Sequence, residues 1–215
     1  MDKPRYIAIE GPIGAGKTSL AAKLAEDLGG RAILESFEDN PFLGEFYKNR
    51  RKHALKTQIF FLISRYQQQK ELVQQDLFSQ TVVCDYLFSK DRIFAGLNLT
   101  RDELFIYDKI YSLLDVQIPK PDLVVYLQSS QDILKKHIRL RGIDYEKNID
   151  ESYLSELSEA YSRFFFGYTE TPLLTVNVTD IDFVGNKADY QTLLKEILAP
   201  KKRGTSHFVH IGKVG

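Results

Sequence analysis

Tyr6-Ile7-Ala8-Ile9-Glu10 runs directly into Gly11-Pro12-Ile13-Gly14-Ala15-Gly16-Lys17-Thr18, and these thirteen residues decide the fold. The first five are a strand by composition. The next eight fit G-x-x-x-x-G-K-[ST] in full, and a helical stretch follows in which Leu20, Leu24 and Leu28 recur every fourth residue before Gly29-Gly30 stops it. Strand, glycine loop and helix in that order form a phosphate cradle. Glycines let backbone N–H groups approach phosphate oxygens, and the helix N-terminus adds partial positive charge. Lys17 supplies an ammonium for the β- and γ-phosphates, and the Thr18 hydroxyl is a ligand for Mg²⁺. The loop specifies a nucleoside triphosphate and leaves the reaction open.

Outward from the loop, short β-branched runs alternate with longer helical ones. Arg31–Glu35, Thr81–Asp85, Leu123–Leu127 and Leu173–Val178 read as further strands. Several are apolar at consecutive positions, as strands buried on both faces are. Strands spaced by helices predict βαβ units: an α/β fold with a parallel five-stranded sheet flanked by helices. The longest helix is expected from about Lys52 to Phe78, with Leu55, Ile59, Leu62, Ile63, Tyr66, Val73 and Leu77 on its apolar stripe and Phe60 and Phe61 in the core. Further helices are expected over Arg101–Val116, Gln131–Leu140, Glu151–Phe166 with Asp150 as N-cap, and Tyr190–Leu198. Residues 1–200 then form one domain, with a short arginine-containing lid at about 137–149. Residues 201–215 show no periodicity and read as a disordered C-terminal tail.

Composition narrows the function. The 215 residues carry 29 Lys+Arg and 29 Asp+Glu, and this balance argues against a partner that is polymeric nucleic acid. A single cysteine, Cys84, excludes an intrachain disulfide and suits a reducing compartment. No apolar run approaches the roughly 20 residues of a membrane span, and no signal-peptide core is evident, so a cytoplasmic protein is expected.

Two acids follow strands. In a parallel sheet, ligands sit beyond the strand C-termini, so Glu35 and Asp85 arrive at the edge that carries the loop. A carboxylate beside the γ-phosphate can accept a proton from an attacking hydroxyl, which suits Glu35, while Asp85 can organise magnesium. Gln58 and Arg65 are seven residues apart on the long helix, hence on one face and roughly 10 Å apart along the axis. An amide and a guanidinium fork together can read the edge of a nucleobase.

With these residues in hand, the loop GPIGAGKTSL, then LES, FYK, TQIFFLISRYQQQ, VVCDYLFSKDRIFA, IRLRG and YEKNI resemble the deoxynucleoside kinase family. The resemblance spans residues 5 to about 198 and is nearest to the bacterial deoxyadenosine/deoxyguanosine kinases. It implies phosphate transfer from ATP, with Mg²⁺, to the 5′-hydroxyl of a deoxynucleoside, a purine for preference, by a homodimer serving nucleotide salvage. By resemblance Glu35 is the general base, with Lys17 and the lid residue Arg141 as its catalytic partners. Gly11, Gly14, Ala15, Gly16, Lys17, Thr18, Ser19 and Arg139 hold the ATP phosphates. Gln58, Arg65 and Asp91 hold the base, Tyr47 and Glu146 the sugar, and Asp85 stands beside both nucleoside and metal. One departure is plain: where the family has Glu-Arg-Ser after strand three, this chain has Asp85-Tyr86-Leu87. The missing arginine's charge is then expected from Arg92 or Arg139, or the site does without it. Two other readings compete: a thymidylate-type nucleoside monophosphate kinase, and a nucleotide-binding regulatory module that has lost catalysis.

Overall fold

A computed structural model describes residues 4–74, 81–199, 201 and 206–212. β1 (Tyr6–Glu10) lies at the centre of a sheet ordered β2 (Arg31–Ile33), β3 (Val82–Cys84), β1, β4 (Leu123–Gln128), β5 (Leu173–Asn177) and β6 (Ser206–His210). Every neighbouring pair is parallel. All five residues of β1 are buried, which explains its unbroken apolar run up to Glu10.

The pleat of β1 divides the core. Ile7 and Ile9 face α1 (Lys17–Asp27), through Leu20 and Leu24, and α8 (Lys187–Leu198), through Tyr190, Leu193 and Ile197. Ala8 faces the other way with Val124 and Tyr126. It meets Leu157, Tyr161 and Phe165 of α7 (Glu151–Phe166) and Ile93 of α4 (Asp91–Asn98). The Asp150 side chain caps α7 as expected, accepting the Ser152 N–H at 2.9 Å. α5 (Arg101–Asp115) starts at Thr100, whose hydroxyl and the Glu103 carboxylate close a capping box.

α3 spans Arg50–Gln74, and its expected continuation to Phe78 lies outside the described residues. Leu62 is buried, but Ile63, placed on the apolar stripe by spacing, is 43% exposed. Two short helices carry too few residues to show a period and were not anticipated: α2 (Leu43–Lys48) and α4. α6 (Gln131–Arg141) completes the set.

The sheet has six strands where five were expected. The sixth comes from the presumed disordered tail: Ser206 to His210 pair residue for residue with Leu173 to Asn177. As an edge strand it buries little: among its residues Val209 packs against the core, and Ile211 does so just beyond it, so composition alone does not announce it.

Candidate active site

Three strands deliver their C-terminal ends to one edge, and Asp85 ties them together. Its Oδ1 accepts the Glu35 backbone N–H at 2.7 Å, and its Oδ2 accepts the Thr18 hydroxyl at 2.6 Å. Glu35 lies two residues past β2, so the strand ends earlier than sequence implied and the carboxylate stands in the cleft.

The loop is built from backbone. Gly16 sits at φ +88, a left-handed conformation, and a Cβ there would lie 2.7 Å from the Phe183 ring. The Lys17 ammonium donates to the carbonyls of Gly11 at 2.9 Å and Pro12 at 3.1 Å. Burial and the neighbouring Lys90 charge push its pKa down to about 8. His137 of α6 contacts the loop through Nδ1 at 2.8 Å from the Gly14 carbonyl.

The loop opens onto a cleft. Lys17, Thr18, Glu35, Tyr47, Gln58, Arg65, Asp85, Arg141 and Glu146 all line it. Asp91 lies just behind, fully buried and ion-paired with Arg65 Nη1. Phe61, expected in the core, lines the cleft with the Arg65 guanidinium 4.7 Å from its ring centroid. Arg141 meets Glu146 through Nε–H at 3.0 Å and Nη2–H at 2.5 Å. Tyr47 stacks on Tyr145 at 5.9 Å. The Gln58 carbonyl oxygen is buried and unpartnered, as a recognition group awaiting a ligand would be.

Glu35 carries the densest electrostatics. Arg65 donates Nε–H to its Oε1 at 2.5 Å, and Lys90 donates to its Oε2 at 2.9 Å. Burial alone would raise its pKa, but the two cations outweigh burial and hold it near 2.

The structure changes the expectation for the missing arginine's charge. Arg92 is largely exposed and reaches Asp108 at 3.5 Å, and Arg139 is exposed on α6, outside the cleft lining. A cation not anticipated there, Lys90, lines the cleft and is 2% exposed. Sequence reasoning missed Lys90 because it lies on a three-residue 3₁₀ turn, Phe88–Lys90, with no period to assign it a face. It also missed Glu10. That buried carboxylate accepts N–H groups from Gly11 at 3.0 Å and Leu87 at 2.7 Å and the Tyr161 hydroxyl at 3.1 Å. Burial raises its pKa, against the pull of Lys90 and Lys17.

A glycine loop at the end of β1, a strand-borne carboxylate beside it and an enclosed acceptor pocket define a P-loop phosphotransferase. A family model described as deoxynucleoside kinase matches residues 7–200. The chain belongs to the deoxynucleoside kinase family. It is 38% identical over 202 residues to a deoxyguanosine kinase of Bacillus subtilis (strain 168), covering 92% of this chain and 98% of the relative. A deoxyadenosine kinase of Dictyostelium discoideum is 35% identical over 176 residues, 80% of this chain and 71% of its own length. Among solved structures, deoxyadenosine kinase from M. mycoides with bound dCTP matches with a TM-score of 0.75 at 26% identity, covering 89% of this chain and 97% of that one. These are ATP-dependent phosphotransferases, and the chain is a deoxynucleoside kinase.

Proposed function

We propose that this kinase moves the γ-phosphoryl group of ATP to the 5′-hydroxyl of a purine deoxynucleoside, in nucleotide salvage. The observation that carries the reading is the placement of Glu35 in one cleft with both Lys17 and the Gln58–Arg65 face. The cleft takes the nucleoside with its base toward Gln58, Arg65 and Asp91 and its sugar toward Tyr47 and Glu146. Glu35 accepts the 5′-proton, and the oxygen attacks the γ-phosphorus in line. Lys17 and the loop backbone hold the donor phosphates, with Gly11, Gly14, Ala15, Gly16, Thr18 and Ser19 contributing.

Residues 1–200 act as the kinase domain, and about 137–149 as a lid. Arg141 reaches into the cleft from that segment and excludes water with it. Arg139 lies farther out and serves the donor phosphates only if the lid closes. The purine preference follows the relatives named for deoxyguanosine and deoxyadenosine.

Magnesium fits this site. Thr18 and Asp85 offer hydroxyl and carboxylate oxygens already 2.6 Å apart, a hard-donor set of the kind Mg²⁺ shares with nucleotide phosphates. Among the described residues no group of three His, Cys, Asp or Glu is gathered to hold an ion, so the phosphates would supply the remaining ligands. When bound, the ion would neutralise charge on the phosphate oxygens.

A homodimer is supported by an apolar face on α5. Phe105 (65% exposed), Ile106 (53%), Leu113 (73%) and Val116 (86%) follow one stripe at helical spacing. A cytoplasmic setting accords with the buried free thiol of Cys84 and with the finding that no helix among the described residues is long and apolar enough to cross a membrane.

The deciding experiment offers the four deoxynucleosides and their monophosphates with ATP and magnesium and scores phosphate transfer. Transfer to deoxyguanosine or deoxyadenosine is expected. Transfer to monophosphates alone would replace this reading with the thymidylate-type one, and ATP binding without transfer would leave a regulatory module.

A further inference from the structure

Glu35 is held by two cations that enter from different elements and have different second obligations. Arg65, on α3, is bound on its far side to Asp91 and faces the part of the cleft assigned to the base. Lys90, on the turn between β3 and α4, lies under the carboxylate. Its Nζ is 2.9 Å from Glu35 Oε2, 3.9 Å from Glu10 Oε1 and 5.7 Å from the Tyr86 ring centroid. The five charges alternate through the interior: Glu10, Lys90, Glu35, Arg65, Asp91.

The Glu10 end of this chain is fixed. Both Glu10 oxygens are occupied by backbone N–H groups and the Tyr161 hydroxyl, so Glu10 is a stationary counter-charge for Lys90. A buried ammonium is costly unless paired, and two carboxylates face this one. Arg65 is the cation that also lines the cleft on the side assigned to the base. A base that hydrogen-bonds its guanidinium competes with Glu35 for its donors, since Arg65 Nε–H donates to Glu35. As the base takes those donors, Lys90 remains as the cation on the carboxylate.

We propose that Lys90 is the positioning residue for Glu35, keeping its carboxylate aligned on the 5′-hydroxyl once the nucleobase draws Arg65 away. Lys90 acts through Glu35 and needs no contact with the nucleoside. The proposal rests on the reading of Glu35 as acceptor of the 5′-proton, and it adds a support for that acid from the turn after β3.

Steady-state kinetics with a purine deoxynucleoside and Mg-ATP test it. Lys90→Met is expected to lower kcat about 100-fold, the scale of a misaligned reacting group, while the deoxynucleoside KM stays within about threefold. Lys90→Arg, which restores the charge, is expected to return kcat to within about tenfold of the wild type. In a Glu35→Gln background, adding Lys90→Met is expected to cost less than about threefold more, because the group it positions is already gone. A Lys90→Met enzyme with kcat within threefold of the wild type overturns the role. So does a Lys90→Arg enzyme as impaired as Lys90→Met, or a full additional loss in the Glu35→Gln background. If Lys90→Met alone fails to fold, the Lys90→Arg and Glu35→Gln/Lys90→Met comparisons decide by the same criteria. A wild-type chain that phosphorylates no deoxynucleoside overturns the reaction and this role together. An active wild type with an indifferent Lys90 overturns the role alone.

Discussion

The two ends of the cleft are built by different means. The phosphate end is built on backbone: a glycine loop whose Gly11 and Pro12 carbonyls accept from one ammonium folded over them. The acceptor end is side chain: Glu35, Gln58, Arg65, Lys90 and Asp91 converge from β2, α3, the β3–α4 turn and α4, nearly all of them buried. A backbone cradle depends little on side-chain identity outside Lys17 and Thr18. A buried ion chain depends on it throughout, because each charge is another's compensation.

The sharpest test of that contrast is Glu35→Ala. It removes the proton acceptor and is expected to lower kcat about 10³-fold, with little change in deoxynucleoside KM. Retention of near wild-type kcat would break the assignment of chemistry to the acceptor end.

Arg65→Met probes the same end through stability. It strands Asp91, which is fully buried, and is expected to cost about 3 kcal/mol in urea unfolding, the penalty of an unpaired buried charge. It also removes a cation that depresses Glu35. The folded-state value of Glu35, near 2, lies below its ordinary 4.5, so the stability Glu35 contributes is present above pH 4.5 and lost as pH falls toward 2. Arg65→Met narrows that window from below. Where the variant folds, its preference is expected to move from purine toward pyrimidine deoxynucleosides, read from kcat/KM on the four substrates.

At the phosphate end, Gly16→Ala places a Cβ against Phe183 and demands a left-handed backbone. A strain of about 1–2 kcal/mol predicts roughly a tenfold rise in the KM for ATP, with the deoxynucleoside KM unchanged. A rise in both would mean that the two ends are not independent.

The smallest effect concerns pH. Lys17, at about 8 against an ordinary 10.5, is about half deprotonated at pH 8 in the free enzyme. A bound triphosphate stabilises the ammonium, so ATP binding near pH 8.5 is expected to take up protons. Its affinity should weaken a few-fold from pH 7.5 to 9. Calorimetry in buffers of different ionisation enthalpy measures both.

The same contrast governs what was legible from residues alone. The strand–loop–helix unit, the parallel α/β class and the long helix bearing Gln58 and Arg65 carry their own local signals: glycine spacing and hydrophobic period. β6 lacked such a signal because an edge strand buries little, and α2 and α4 because they are too short to show a period. Lys90 and Glu10 were invisible for a related reason. A lysine on a three-residue turn and an acid ending a strand are solvated in most proteins, and only packing from other elements buries them here.

Sequence by itself determined the phosphate cradle, the fold class and the acid after the second strand, because each depends on neighbours within a few residues along the chain. Tertiary structure alone decided that Lys90 stands under Glu35, that Asp85 ties three strand ends together, and that the chain's last strand extends the sheet. Those outcomes depend on which buried charge meets which, and that pairing is set only when distant segments exclude water from one another.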